Sequence, residues 1–198
     1  MARVKRVWVT LCAATAVGFA LAPAGPPAFA AGDPAAKAEA IAAFQRLFAL
    51  PTFRVKWTNP EANGLLEFVQ PNQQHLTAKS DKGSIEIFQI GTETRMHYDY
   101  PGAPSGWRCF NGQQGIPRWF NVDKMREDTT TEVVRRPDTV INGTPVHAYT
   151  DTKTRGELYV GIQNGLPRRF VGFEPKGNFT GDFYDFGVPI MLTPPACG

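Results

Sequence analysis

Three histidines, His75, His97 and His147, are the residues best suited to proton transfer or metal binding near neutral pH. None lies two or four positions from another, so no zinc-binding frame is present, and each reads as a histidine on a strand surface. The serines offer no activated nucleophile. There is no G-x-S-x-G elbow and no S-x-x-K run, and Ser80, Ser84 and Ser105 have no visible base or orienting acid. Asp182 and Asp185 are close in sequence but fall on opposite faces of a strand over 178–186, which separates them as an acid/base pair. Gly161 to Gly165 reads as a turn, because no helical pattern follows that would make it a phosphate loop. The expectation is a non-enzyme, with no catalytic residue, no metal ligand and no cofactor.

The N-terminus carries export chemistry instead. Arg3, Lys5 and Arg6 precede an uncharged apolar stretch from Val7 to about Leu21. A Pro/Gly break follows at Pro23, Gly25, Pro26 and Pro27, and then Ala28-Phe29-Ala30, the small-x-small pattern of a signal-peptidase site. Residues 1–30 thus read as a cleavable signal peptide, with the cut between Ala30 and Ala31, and residues 31–198 as one domain. The apolar stretch falls short of the roughly 20 residues of a membrane span, so no stable span is expected after cleavage. Cys12 is preceded by Val9, Thr10 and Leu11, which do not form a lipobox. The expected location is the periplasm or outside the cell, within a bacterial envelope.

Cleavage alters the charge balance. The whole chain has 21 Lys+Arg against 18 Asp+Glu. Arg3, Lys5 and Arg6 leave with the signal, so the mature chain balances 18 bases against 18 acids. Such a chain has no basic footprint for nucleic acid or anionic lipid headgroups. Of the three cysteines, Cys109 and Cys197 remain. An isolated pair in an oxidising compartment is expected to form a disulfide, tying the C-terminus to the middle of the chain.

One helix is evident. Asp33 is a good N-cap, Pro34 suits the first helical position, and Ala-rich sequence runs to about Ala49, with Ile41, Phe44 and Phe48 on one stripe. From Phe53 the period becomes two. Phe53, Val55 and Trp57 alternate with Arg54 and Lys56, and the pattern returns at Ile85 and Ile87, at Met96, Tyr98 and Tyr100, and at Leu158, Val160 and Ile162. Turn signals at Asn63-Gly64, Pro71-Asn72, Asp81-Lys82-Gly83, Gly91, Asn142-Gly143 and Asn164-Gly165 separate eight to twelve short strands. Residues 116–128, with Trp119, Phe120 and Met125, break this rhythm and read as a loop with a short helix. The fold class is mainly β: a large antiparallel sheet, one N-terminal helix, and an apolar face larger than that helix covers.

The succession Gly64-Leu65-Leu66-Glu67-Phe68-Val69-Gln70-Pro71-Asn72, Ile85-Glu86-Ile87, Ile90-Gly91, Tyr98 and Trp107 resembles the lipoprotein-localisation carriers and related mycobacterial lipid-transfer lipoproteins, the LolA-like and LppX-like proteins. Asn142-Gly143-Thr144-Pro145, Asn164 to Arg169 and Tyr184 to Pro189 continue the likeness, which covers most of residues 35–195. The resemblance implies an unclosed β-barrel of about eleven strands with helical segments against a concave hydrophobic face that holds acyl chains. Lipoprotein-sorting members have an arginine before the Pro-Asn pair, where this chain has Gln70. Two readings stay open. One is a carrier or binding protein for a lipid, lipoprotein or other hydrophobic ligand, lined by Phe53, Val55, Trp57, Phe68, Met96, Tyr98 and Tyr100. The other is a structural or protein-interaction module of the envelope whose concavity is filled by its own helices. Intact-mass analysis of exported protein should give a chain beginning at Ala31; a mass that retains a lipid-modified Cys12 would overturn the cleavage assignment.

Overall fold

A computed structural model describes residues 32–111, 132–174 and 177–197. The signal sequence with its cleavage site at Ala30 and Ala31, and the expected loop around Trp119, Phe120 and Met125, lie outside the described residues.

Helix α1 spans Pro34–Phe48. The Asp33 carboxylate accepts from the Ala35 N–H at 2.8 Å, satisfying one of the free donors of the first turn, and Pro34 occupies a position that needs none. The buried face consists of Ala36, Ala40, Ala43, Phe44 and Leu47. Of the stripe read from the sequence only Phe44 is fully buried, while Ile41 and Phe48 lie at its margins. The alanines are the reason: they let the helix axis approach the sheet, and the contact shifts onto them.

Eleven strands follow, all antiparallel to their neighbours: β1 (Thr52–Thr58), β2 (Ala62–Val69), β3 (Gln73–Ser80), β4 (Gly83–Ile90), β5 (Glu93–Asp99), β6 (Arg108–Asn111), β7 (Val133–Ile141), β8 (Thr144–Asp151), β9 (Glu157–Gly161), β10 (Pro167–Glu174) and β11 (Gly177–Tyr184). They form one sheet in the order β6-β5-β4-β3-β2-β1-β11-β10-β9-β8-β7. Two meanders are thus joined by pairing of the first strand with the last, from Arg54 opposite Tyr184 to Thr58 opposite Thr180. β6 and β7 do not pair with each other, so the sheet is not closed into a barrel.

The Asn142-Gly143 signal makes the β7–β8 hairpin, with both residues at positive φ (49° and 77°), as a twisted two-residue turn requires. Asn63-Gly64 is different. It lies inside β2, and the chain turns earlier, where the Asn59 side chain accepts from the Glu61 and Ala62 N–H groups at 2.9 and 2.7 Å. Gly64 serves packing, since a Cβ there would run into the Thr77 carbonyl oxygen and lie 2.7 Å from the Trp57 ring. Ile162 and Tyr100, read as the ends of alternating runs, fall just beyond β9 and β5 and are 43% and 46% exposed.

After β11 the chain crosses the outer side of the sheet as a strap. The Gly187 N–H donates to the Thr52 carbonyl at 2.9 Å, and the Thr52 hydroxyl donates to the Val188 carbonyl at 2.7 Å. Arg95 donates to the Pro194 and Pro195 carbonyls at 3.4 and 2.5 Å, and Cys197 ends the strap in a disulfide to Cys109 on β6. The bridge closes a sequence separation of 88 residues. In the chain-entropy model, a loop of that length contributes roughly 4–5 kcal/mol by restricting the unfolded chain. C109S/C197S should therefore unfold at a clearly lower urea midpoint than the oxidised parent; equal midpoints would mean the strap contributes nothing to stability.

Candidate ligand-binding face

Alternation on each strand puts one set of side chains on an inner face, toward α1, and the other on an outer face. The inner face falls into two apolar clusters. The larger lies beneath the helix: Phe44, Leu47, Phe53, Val55, Tyr149 and Phe183 are buried there, with Val133, Leu158 and Val160 from the second meander. Phe53 stacks on Phe68 with ring centroids 4.8 Å apart, and Phe48 meets both rings edge-on. The Tyr149 hydroxyl donates to Glu39 at 2.6 Å, anchoring α1 to β8; burial and that carboxylate together raise the Tyr149 pKa.

The smaller cluster belongs to the first meander. Trp57, Leu76 and Ile87 are buried, with Leu66, Met96 and Phe179 packed against them. Trp57 stacks on Phe179 at 6.1 Å. In the sheet it stands between Gly64 on β2 and Gly181 on β11, so the indole occupies width that two missing side chains leave open.

Next to Trp57 the inner face continues into a cavity of about 270 Å³. Register creates it: Gly64, Ala78, Ile85 and Tyr98 lie in one row across β2–β5, and Ala62, Ser80 and Gly83 in the next. The small residues leave space that Ile85, Tyr98 and Tyr100 border with apolar surface, the two tyrosines meeting edge-on at 5.6 Å. Lys79, Lys82 and Ser84 complete the lining at its edge, where Lys79 and Ser84 belong to the outward row of β3 and β4 and both lysines are exposed.

Of the seven lining residues expected from the sequence, the structure therefore places Phe53, Val55 and Phe68 against α1, Trp57 and Met96 in the second cluster, and Tyr98 and Tyr100 at the cavity. Ala62 and Ala78 were not singled out in the sequence, and Ile85 was read as a strand residue but not as lining. The signal of the alanines is small size at inward positions beside a tryptophan, which has meaning only once the register is known. Gln70, the position of the sorting-type arginine, donates from its side-chain amide to the Phe48 carbonyl, capping the C-terminus of α1.

A second cavity, of about 410 Å³, lies between α1 and the β9–β10 turn and is lined by polar groups including Glu39, Arg46 and His147. On the outer face, Arg54, Glu67 and His75 are direct cross-strand neighbours. Arg54 donates to Glu67 at 2.8 Å and to Asp185 at 2.7 Å. The two ring nitrogens of His75 lie 2.9 Å from Glu67 and 2.8 Å from Glu86, and its ring stacks on Phe88 at 4.1 Å. Asp182 is paired with Arg169 at 2.6 Å. Contrary to the sequence reading, both aspartates serve the outer face. β11 ends at Tyr184, and Asp185 takes φ 52°, which turns its side chain to Arg54. Each acid is committed to an arginine.

No protein-family model matches the chain, and no curated protein matches it by sequence. The fold is LppX-like, a mainly β, unclosed barrel. Its architecture is similar to that of LprF from Mycobacterium bovis, with a TM-score of 0.59, 11% identity, and coverage of 84% of this chain and 99% of that one. It is likewise similar to the lipoprotein LppX of Mycobacterium tuberculosis, with a TM-score of 0.58, 11% identity, and coverage of 81% and 100%.

The outer ladder yields a pH prediction. Burial works to raise the Glu67 pKa, but hydrogen bonds from His75 and Arg54 outweigh it and hold the carboxyl below its usual range. The folded state then binds fewer protons at Glu67 than the unfolded state does. Its contribution is complete above the unfolded value, about 4.3, and is lost as pH falls through the lower folded value. Urea midpoints measured from pH 6 to pH 3 should fall less steeply in Glu67→Gln than in the parent; parallel curves would remove Glu67 from the acid-sensitive set.

Proposed function

We propose that the chain is an exported carrier or binding protein for a lipid or other hydrophobic ligand, and not an enzyme. It acts in the periplasm or outside the cell, taking an apolar tail against the inner face of β2–β5. One observation carries this reading. The inner face of the first meander runs from the Trp57 cluster directly into an apolar cavity, whereas α1 packs on β7, β9 and β10 and on Phe53, Val55 and Phe68 at the near side of β1 and β2. An apolar sheet surface beside an unfilled cavity is where burial of a hydrocarbon is favourable, at about 25 cal/mol per Å² removed from water. No helix of the described residues is long and apolar enough to cross a membrane. The LppX-like architecture is compatible with this role, and the ligand reading itself rests on the cavity. Met96, Tyr98 and Tyr100 are the sequence-derived lining residues best placed for it.

A neutral environment-sensitive probe such as N-phenyl-1-naphthylamine should bind with one site per chain and be displaced by straight-chain alcohols. Each added methylene should tighten displacement about fourfold, the equivalent of about 0.8 kcal/mol, until the cavity is full. Ala62→Phe, which fills the cavity from a strand end, should abolish probe binding while the fold is retained by circular dichroism. Absence of saturable binding in the parent would replace the carrier reading with the self-filled interaction module.

A further inference from the structure

We propose that the cavity between α1 and the β9–β10 turn is a second binding site, for a small organic carboxylate. Arg46 and Asn164 hold the carboxylate, and Val160 and Ile162 take the apolar body. The inference stands apart from the carrier reading, which concerns the first meander.

Three observations carry it. First, the charges that border this cavity are satisfied except for one. Glu39 and Arg46 lie two helical turns apart on one flank of α1, about 10 Å along its axis, so they serve separate ends of the cavity. Glu39 is engaged: it accepts from the Tyr149 hydroxyl at 2.6 Å and lies 3.8 Å from the Arg135 guanidinium. His147 is engaged through Nδ1, 2.9 Å from Asp138 and 2.7 Å from Arg135. Arg46 has no ion pair among the described residues, yet its guanidinium has a defined place. It lies against the β9–β10 turn, where Gly165 takes φ 64° and a Cβ would come within 2.7 Å of Nη1. Second, Asn164 adds a donor at the same turn. Its Oδ1 accepts from the Leu166 N–H at 3.2 Å, which leaves its amide N–H groups for a ligand. A guanidinium fork beside a primary amide suits the two oxygens of a carboxylate. Third, apolar surface adjoins these donors. The buried Val160 borders the cavity, and Ile162, 43% exposed, stands at its edge. At about 410 Å³ the space falls within the range of small-molecule sites, about 300–1,000 Å³. A neutral ligand would leave the guanidinium without a partner, and a cation would be repelled by it.

The test is an amide-resolved NMR titration of the oxidised chain with 2-naphthoate, its neutral isostere 2-naphthamide, the cation 2-naphthylmethylammonium, and acetate. At low salt 2-naphthoate should shift the amide signals of Gly161 to Gly165 saturably. It should bind roughly fivefold more tightly than the amide, the upper end of what one exposed charge pair supplies. The cation should bind more weakly than the amide, and acetate, a head without a body, more weakly than naphthoate. At an ionic strength of about 1 M, where screening reaches about 3 Å, acid and amide should converge. In Arg46→Gln, a change at an exposed position, they should be equal already at low salt. In Ile162→Ser both should weaken together. No saturable shift at Gly161 to Gly165, or equal affinity of acid and amide in the parent, would overturn the site. Shifts confined to the β2–β5 cavity would place the acid there and overturn a second site. An unchanged ratio in Arg46→Gln would overturn the role of Arg46. Acetate binding as tightly as naphthoate, or full affinity in Ile162→Ser, would remove the apolar body from the recognition and count against the proposal.

Discussion

The pairing of β1 with β11 is the contact through which the two meanders become one sheet. β1 through β6 and β7 through β11 are each local structures, built by hairpin turns between sequence neighbours. Among the described residues, the strand pairing from Arg54 opposite Tyr184 to Thr58 opposite Thr180 joins them into one sheet. Its side chains are specific on both faces. Inside, Val55 opposes Phe183, and Trp57 opposes Gly181; outside, Lys56 opposes Asp182. A slip of one residue would exchange these faces and put the Trp57 indole into solvent. Arg54 adds a link to Asp185 across a sequence separation of 131 residues. Closure of so long a loop is entropically unfavourable, and the apolar inner contacts are what offset it.

Joining the meanders produces an inner face wider than one helix. A helix of 15 residues is about 22 Å long, whereas adjacent strands lie about 4.8 Å apart, so eleven of them span roughly twice that length. Contact with α1 is consequently concentrated on one wing, where its alanines permit close approach. The other wing is packed by its own large side chains, Trp57 against Phe179, and thinned by small ones, Gly64, Ala62 and Ala78. That combination separates a packed core from a cavity on the same surface. Were Ala78 and Ala62 leucines, their two rows would be filled as completely as the one at Leu66, Leu76 and Ile87.

The parts legible in the sequence are those written locally. Asp33-Pro34 marks the start of α1, period-two alternation marks the strands, and Asn142-Gly143 marks a hairpin, because each depends on backbone preferences within a few residues. The cysteine pair was legible too, since two cysteines allow only one bridge. What depends on register was not. Asn63-Gly64 has the composition of a turn and is a strand interior, where both the Thr77 carbonyl and the Trp57 ring occupy the space beside Gly64. The ladder Arg54, Glu67 and His75 comes from three strands whose sequence neighbours give no hint of each other. The inward-facing aromatics were recognisable as a set, but their division between helix-covered core and cavity depends on which wing α1 selects.

The register also gives the first meander two unlike ends. At one end lie Thr52, Val69, Gln73, Ile90 and Glu93, and there the C-terminal strap crosses the outer side, bonded to Thr52, to Arg95 and through Cys197 to Cys109. Gln70 reaches from the same end to the last turn of α1. At the other end lie Ala62, Ser80, Gly83 and Asp99, with the cavity. Cross-linking one end of a sheet restrains the spread of its strands there, and the restraint weakens along the strands. Among the described residues, the end with fewer cross-connections is also the end where small inward residues have left room beside the protein's own side chains.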